Sequence, residues 1–295
     1  MIKFKASKIV IPVDFSKTSI KAIKHAAFIA KVNKGELILL NVQKKNDLID
    51  IILPAFKLKD MSVVTDFLSE KLETLAAEIR KEFGIKVTSL VSLGHITSEI
   101  VAVADENKAD LIVMGTHGGD SKSSVLLGSN AYRVIAKTHC PVLTVRDNTP
   151  NIGYKNIILP IDSTSHTRQK VVPTLMFAEK FASKIHILGI LAPGEENEKH
   201  KLEVVIGQIE KIASKHKLVA DSLIVETEDS SSKILKYAAK NKADLISIMS
   251  DQNGGVSKIL GQFAHHIIND SKIPVLTFKP VHHNDTASFS VGGMW

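Results

Sequence analysis

Apolar residues recur with two different periodicities along the first half of the chain. Short apolar runs predict strands, which lie at residues 8–14, 36–42, 86–92, 111–114 and 142–145. Apolar positions at helical spacing predict helices from residues 16–18 onward and at 61–83, 96–107 and 130–137. Strands that alternate with helices in this way indicate an α/β fold, in which helices cover both faces of a parallel sheet.

The second half repeats this pattern. Matching segments are 8–14 with 155–162, 108–112 with 242–246, and 140–144 with 273–277. Asp162 thereby stands where Asp14 stands. We therefore expect two tandem copies of one five-stranded module, joined by a short linker around Gly153. The expected boundaries are a first domain at 1–148, a second domain at 154–280 and a C-terminal tail at 281–295.

A glycine-bearing loop follows the fourth strand of the first copy. Gly115, Gly118 and Gly128 fall at the spacing Gly-x2-Gly-x9-Gly, and Ser129 comes next, immediately before a predicted helix. Glycine lets a ligand approach the backbone, and a helix start offers unpaired N–H groups to an anion. The spacing predicts a phosphate-binding loop. Glycines that serve only to turn the chain are the alternative.

The second copy has lost most of this loop. Gly261 matches Gly128, but Gln262 replaces Ser129. The residue that corresponds to Gly115 is 248, 249 or 250, and none of these is glycine. We expect side chains to fill the space that a triphosphate needs. A phosphate cradle built from the glycine pair at 254–255 is the alternative.

Composition narrows the possible functions. With 295 residues, 44% of them hydrophobic, the chain is long enough for two cores. No apolar run approaches the ~18 residues of a membrane helix, and the N-terminus leads directly into a strand, which predicts a cytoplasmic protein. The net charge of +7 is scattered among acidic residues, which argues against nucleic acid as a partner.

Other candidate chemistry is sparse. The single cysteine, Cys140, excludes an internal disulfide, and we interpret it as a packing residue. No catalytic or metal-ligating set is predicted. The partly apolar insertion at residues 43–60 is expected to cover a face or an interface.

The glycine spacing and the repeated strand ends resemble the universal stress protein family. The resemblance covers residues 6–147 strongly and 154–279 more weakly. It implies a Rossmann-like module, similar to adenine nucleotide alpha hydrolases, with strand order 3-2-1-4-5. It also implies pairing through the last strand, which gives either an intramolecular pseudo-dimer or a homodimer.

The same resemblance implies ATP, with or without Mg²⁺, bound in the first copy. The implied contacts, by position, are Pro12, Val13 and Asp14 near ribose and adenine, Val42 at the adenine edge, and Gly115, Gly118, Gly128, Ser129 and Asn130 at ribose and phosphates. Asn130 departs from the valine usual in such loops, but its implied contact is made by the backbone amide. Asp14 also fits a simpler role, the capping of the following helix.

Three functions are compatible with these patterns. The leading interpretation is an ATP-binding stress-response regulator that acts on a protein partner the sequence does not identify. A slow ATPase or phosphotransfer enzyme would need Asp14 or Asp120 as its carboxylate. An interaction scaffold without a ligand would carry the glycines as remnants.

Overall fold

The computed structural model describes residues 4–44, 61–116, 128–147, 149, 152–250 and 260–281, with backbone only at 61–62. Several sequence expectations fall outside these residues, namely residues 45–60 of the insertion, Gly118, Asp120, the glycine pair at 254–255 and the tail from residue 282.

The first copy contains all nine elements predicted for it. Its strands are β1 (Lys8–Pro12), β2 (Glu36–Gln43), β3 (Lys86–Leu93), β4 (Leu111–Gly115) and β5 (Val142–Val145). Its helices are α1 (Lys17–Asn33), α2 (Met61–Phe83), α3 (Ile96–Glu106) and α4 (Ser129–Lys137). β1, β2, β4 and β5 are largely buried on both faces, as a parallel sheet between helices requires, whereas the edge strand β3 is mostly half-buried or exposed.

The second copy follows the same order. Its strands are β6 (Asn156–Ile161), β7 (Lys184–Leu191), β8 (Ala220–Glu226), β9 (Leu245–Met249) and β10 (Val275–Phe278). Its helices are α5 (Ser165–Arg168), α6 (Val171–Phe181), α7 (Glu196–Lys215), α8 (Ser230–Lys240) and α9 (Gln262–Asp270). None of the helices in the described ranges is both long and apolar enough to cross a bilayer.

One helix differs between the copies. The continuous α1 of the first copy is matched in the second by α5 and α6, which are separated by Gln169 and Lys170. Pro173 explains the break, because proline has no N–H to donate to the carbonyl of Gln169 and its ring crowds that carbonyl. The helix restarts at Val171, where proline in the first turn is tolerated.

The ten described strands form one sheet in the order β3-β2-β1-β4-β5-β10-β9-β6-β7-β8. Neighbours within each copy are parallel, so each half has the predicted order 3-2-1-4-5. β5 and β10 pair antiparallel, with Leu143 opposite Leu276. The copies therefore join through their last strands within one chain, which is the first of the two implied arrangements.

The repeated Lys-Ala-Asp segment has a structural role. Asp110 Oδ2 accepts hydrogen bonds from the backbone N–H groups of Ser7 and Lys8 at 3.0 and 2.9 Å. Asp244 Oδ2 does the same for two N–H groups at the start of β6, at 2.8 Å each. Each aspartate thus fixes the beginning of the first strand of its copy against the strand that follows the aspartate.

An aromatic cluster on one face of the sheet connects the copies. The Tyr154 ring lies 5.1 Å from that of Phe177 and 5.0 Å from that of Phe181, between ring centroids. His25 of α1 is fully buried, and its Nδ1 lies 2.9 Å from the Tyr154 hydroxyl oxygen. Burial, with a smaller effect of Lys21, lowers the pKa of His25 to about 4.

Acid should therefore weaken the fold through His25. Because its pKa in the folded chain lies below the ordinary value of 6.5, the unfolded chain binds the proton more readily, and stability is lost as pH falls from 6.5 toward 4. The free energy of unfolding should drop by about 3 kcal/mol across this window. Denaturant melts on both sides of it measure the change.

His25→Gln should flatten this pH dependence. His200→Gln is the control, because the side chain of His200 is 89% exposed and its loss should leave the dependence unchanged. Parallel pH profiles for the wild type and His25→Gln would contradict the assignment.

Candidate functional site

A cavity of about 570 Å³ opens at the carboxyl ends of β1 and β4. These strands are adjacent in the sheet, and the chain turns to opposite sides of the sheet after them, so the strand order reverses here. Ligands of open α/β sheets bind in the crevice at this reversal. The topology therefore places a ligand-sized cavity where the fold class predicts one.

Eight of the nine site residues predicted from the sequence line this cavity. They are Pro12, Val13, Asp14, Val42, Gly115, Gly128, Ser129 and Asn130. The ninth, Gly118, lies outside the described residues. Segments from β1, β2, β4 and the start of α4 thus meet in one place.

Asp14 has a structural contact as well as a place at the cavity. Its Oδ1 accepts a hydrogen bond from the backbone N–H of Ser16 at 3.0 Å. Ser16 is the N-cap of α1, and its hydroxyl oxygen accepts from the N–H of Ser19 at 3.2 Å. Asp14 therefore braces the turn that leads into α1, as the simpler interpretation expected, and it also lines the cavity.

Sequence reasoning missed eleven of the nineteen described residues that line the cavity, among them Asn41 and Phe15. The buried Asn41 donates from Nδ2 to the carbonyl of Val13 at 2.6 Å, and its Oδ1 accepts from Gln43 at 2.7 Å. A polar residue inside the apolar run of β2 was the available signal. Phe15 has φ 61°, which is uncommon for a non-glycine residue, and Lys71 Nζ lies 4.2 Å from its ring centroid. No sequence pattern indicated that conformation.

The cavity has an apolar side and a polar side. Apolar lining residues are Leu40, Ile96, Ile100 and Met114. On the other side, Gly128 is the N-cap of α4 without any side-chain cap, and Ser129 and Asn130 begin the helix. The Gly128 N–H donates to the carbonyl of Thr116 at 2.5 Å, which ties the start of α4 to the end of β4. Such a site can hold a flat apolar group at one end and an anion at the other.

Gly115 is required by packing as well as by any ligand. A Cβ built at this position would lie 2.8 Å from Thr18 Cγ2 and 3.3 Å from the Thr18 backbone carbonyl carbon. Any side chain here would have to displace the start of α1. The close approach of α1 to β4 therefore depends on glycine.

Met249 occupies the corresponding position in the second copy. Thr116 and Ser250, which follow the two positions, each donate their N–H to a carbonyl of the neighbouring strand, at 3.0 and 2.8 Å. Met249 is 2% exposed and lines a cavity of about 230 Å³, less than half the first volume. The second copy thus has a buried methionine where the first copy has a glycine packed against Thr18.

Other contacts of the first cavity are also replaced. The equivalent strands and helices put Gly189 at the position of Asn41, Ser230 at that of Ile96, Gln262 at that of Ser129 and Phe263 at that of Asn130. The second cavity therefore has a different chemical character.

Comparison with known proteins agrees with this architecture. The family model described as "Universal stress protein family" matches residues 5–146 and again 153–279. The chain belongs to the universal stress protein family. Both copies are members, which confirms the family resemblance and the tandem arrangement.

Individual relatives of this universal stress protein match single copies. Universal stress protein MJ0531 of Methanocaldococcus jannaschii is 39% identical over 142 residues, which cover 47% of this chain and 81% of the relative. Universal stress protein MJ0577 of the same organism is 32% identical over 153 residues, covering 47% and 94%.

A tandem structure also matches the whole fold. The crystal structure of a universal stress protein from Archaeoglobus fulgidus superposes with a TM-score of 0.73, covering 93% of this chain and 99% of that one. At 22% identity this likeness shows the fold alone.

Metal binding and a reactive cysteine are the two remaining candidate chemistries. Within the described ranges, no group of three or more His, Cys, Asp or Glu residues is arranged to hold a metal ion.

Cys140 Sγ lies 3.3 Å from the carbonyl oxygen of Ala109. Burial, with smaller effects of Asp110 and Asp105, raises the pKa of the Cys140 thiol to about 12. These features are typical of an unreactive packing cysteine.

Gly115→Ala should destabilise the universal stress protein even without a ligand. The added Cβ meets Thr18, and overpacking of this kind costs about 1–3 kcal/mol. Thr18→Ser removes the Cγ2 atom, so the double variant should lose less stability than the sum of the single variants. Urea melts of the three variants measure this coupling.

Gly153→Ala is the matched control, because a Cβ there has no atom within 4 Å. It should change stability by less than about 0.5 kcal/mol. Strict additivity of Gly115→Ala and Thr18→Ser would show that the close contact does not limit position 115.

Proposed function

We propose that this universal stress protein binds ATP in the cavity of its first copy and works as a nucleotide-dependent regulator of the stress response. The observation that carries the proposal is the meeting of the eight described site residues around one cavity of about 570 Å³. That volume lies within the range of roughly 300–1,000 Å³ usual for small-molecule sites.

The adenine ring fits the apolar side of the cavity. Ile96, Ile100, Met114 and Val42 line the cavity. We assign the first three to the face of the flat ring and the backbone of Val42 to its polar edge. An apolar body with a few backbone hydrogen bonds is the usual environment of such ligands. The hydrogen bond from Asn41 to the Val13 carbonyl holds β1 and β2 in register where these contacts are made.

Ribose and phosphates fit the polar side. Asp14 is available to accept hydrogen bonds from ribose hydroxyls. The start of α4, from Gly128 to Asn130, offers backbone N–H groups and the positive end of the helix dipole to the phosphates. Ser129 adds a hydroxyl donor at the same place. Gly118 completes the glycine spacing on which this part of the proposal also rests.

Any Mg²⁺ is proposed to enter with the triphosphate. Asp14 is the single carboxylate among the described residues that line the cavity. Because Asp14 is assigned to the ribose, phosphate oxygens and waters would supply the ligands of the ion.

The second copy is proposed not to take ATP. Met249 replaces the bare backbone of Gly115, and Phe263 replaces Asn130 at the helix start. The smaller cavity of about 230 Å³ also leaves less room for a triphosphate. ATP occupancy of the first copy is then the proposed signal, which an unidentified protein partner reads at the rim of that cavity.

Calorimetry with ATP tests the binding proposal. The wild type should bind a single ATP per chain. Asp14→Ala should weaken binding by about 1.5–3 kcal/mol, the usual loss for a hydrogen bond to a charged group.

Asp162→Ala is the matched control. Asp162 makes the same turn contact in the second copy, where its Oδ1 accepts from the N–H of Thr164 at 2.8 Å. Both variants lose that turn contact, and Asp162→Ala also loses the bonds from the Thr164 and Thr167 hydroxyls. Unchanged ATP affinity in Asp14→Ala, or an equal loss in Asp162→Ala, would refute the assignment to the first copy.

A further inference from the structure

Lys170 is a buried lysine in the second copy. It is 2% exposed, lies at the break between α5 and α6, and lines the cavity of about 230 Å³. In the first copy the corresponding residue is Ala22, since each lies eight residues after the strand-end aspartate, Asp162 or Asp14. The duplication has therefore put an amine where the first copy has a methyl group.

The Lys170 amine has little hydrogen bonding in its surroundings. Nζ donates to the carbonyl of Thr167 at 3.0 Å, the one hydrogen bond that the described residues give it, although a lysine ammonium has three donors. Asp162 is near, but its Oδ1 already accepts from the Thr164 N–H and from the Thr167 hydroxyl. Burial outweighs the attraction of Asp162 and lowers the pKa of Lys170 to about 7.

The polar surroundings of Lys170 are built into the second copy. The hydroxyl of Thr174 donates to the Lys170 carbonyl at 2.7 Å, and Ser247 Oγ lies 2.7 Å from Thr174 Oγ1. The corresponding residues of the first copy are Ala26 and Val113. Polar groups thus replace apolar ones here, and the Thr174 hydroxyl braces the Lys170 backbone at the helix break.

The cavity favours a small, neutral ligand. Its apolar lining residues include Ile190, Ile248, Met249 and Phe263. Asp162 and Glu195 also line it, so two carboxylates face one lysine and an anion is disfavoured. The volume is below the range usual for drug-sized ligands. A buried lysine whose surroundings favour the unprotonated amine is the kind that forms Schiff bases with carbonyl compounds.

We propose that the second-copy cavity binds a small neutral aldehyde or ketone, which Lys170 holds covalently as an imine. The lone pair of Nζ attacks the carbonyl carbon and forms the C–N bond, while the π pair moves to oxygen. Both amine protons leave with that oxygen as water, and the C=N bond remains. The step needs no oxidant or reductant, and hydrolysis reverses it.

Reductive trapping tests the proposal on the folded full-length chain. Butanal with cyanoborohydride converts an imine into a stable butyl amine, which peptide mapping by mass spectrometry locates. Lys170 should be butylated at least ten-fold faster than the exposed lysines of the same protein. Its rate should rise as pH passes through about 7.

Two variants make the result specific. Lys170→Arg has no imine-forming amine, so the fast adduct should disappear. Lys180→Arg, at an exposed position of α6, should leave the fast adduct intact. Mapping of the wild type decides the matter alone if Lys170→Arg does not fold.

Two results would overturn the proposal. One is butylation of Lys170 no faster than that of exposed lysines. The other is a thermal stabilisation by inorganic phosphate that Lys170→Met abolishes, in the absence of any imine, because that would make Lys170 part of an anion site. Neither result bears on ATP binding in the first copy.

Discussion

The close packing of Thr18 against the backbone of Gly115 is the contact on which the first site depends. Because Gly115 has no side chain, the start of α1 packs so close to the end of β4 that a Cβ at residue 115 would clash with Thr18. The Asp14 turn and the start of α4 then face each other across one cavity. The second copy shows the alternative, since Met249 stands at the equivalent position and the cavity is less than half as large.

The duplication has kept the scaffold and changed the cavities. Asp110 and Asp244 make the same pair of backbone hydrogen bonds at the amino-terminal ends of β1 and β6. The sites lie at the other, carboxyl ends of the strands. The strand order 3-2-1-4-5 is also the same in both halves, which pair through β5 and β10. The second copy keeps this scaffold although the residues that line its cavity differ, and Lys170 is one of those differences.

Hydrophobic periodicity was enough to predict the elements of the first copy and the repeat. Helices such as α2 carry a clear apolar stripe, and continuous apolar strands define a parallel sheet. The glycine spacing located the cavity because open backbone is needed at a strand end whichever ligand binds. The sequence therefore predicted the place of the site better than its full lining.

The remaining features depend on tertiary contacts that no local pattern encodes. The left-handed φ of Phe15 follows from the turn into α1, and the role of Asn41 depends on β1 lying beside it. The strand hydrogen bonds single out residue 249 as the match of Gly115 among the three candidates. Lys170 resembles an ordinary helix-surface lysine in sequence, but its position is buried in both copies, since the corresponding Ala22 of the continuous α1 is also fully buried.

A crystal structure of the protein grown with ATP tests the assignment of the two cavities most directly. The expected result is adenine nucleotide density in the first copy alone, between the Asp14 turn and the start of α4 at Ser129. Nucleotide density beside Met249 in the second copy, with the first cavity empty, would contradict the central claim.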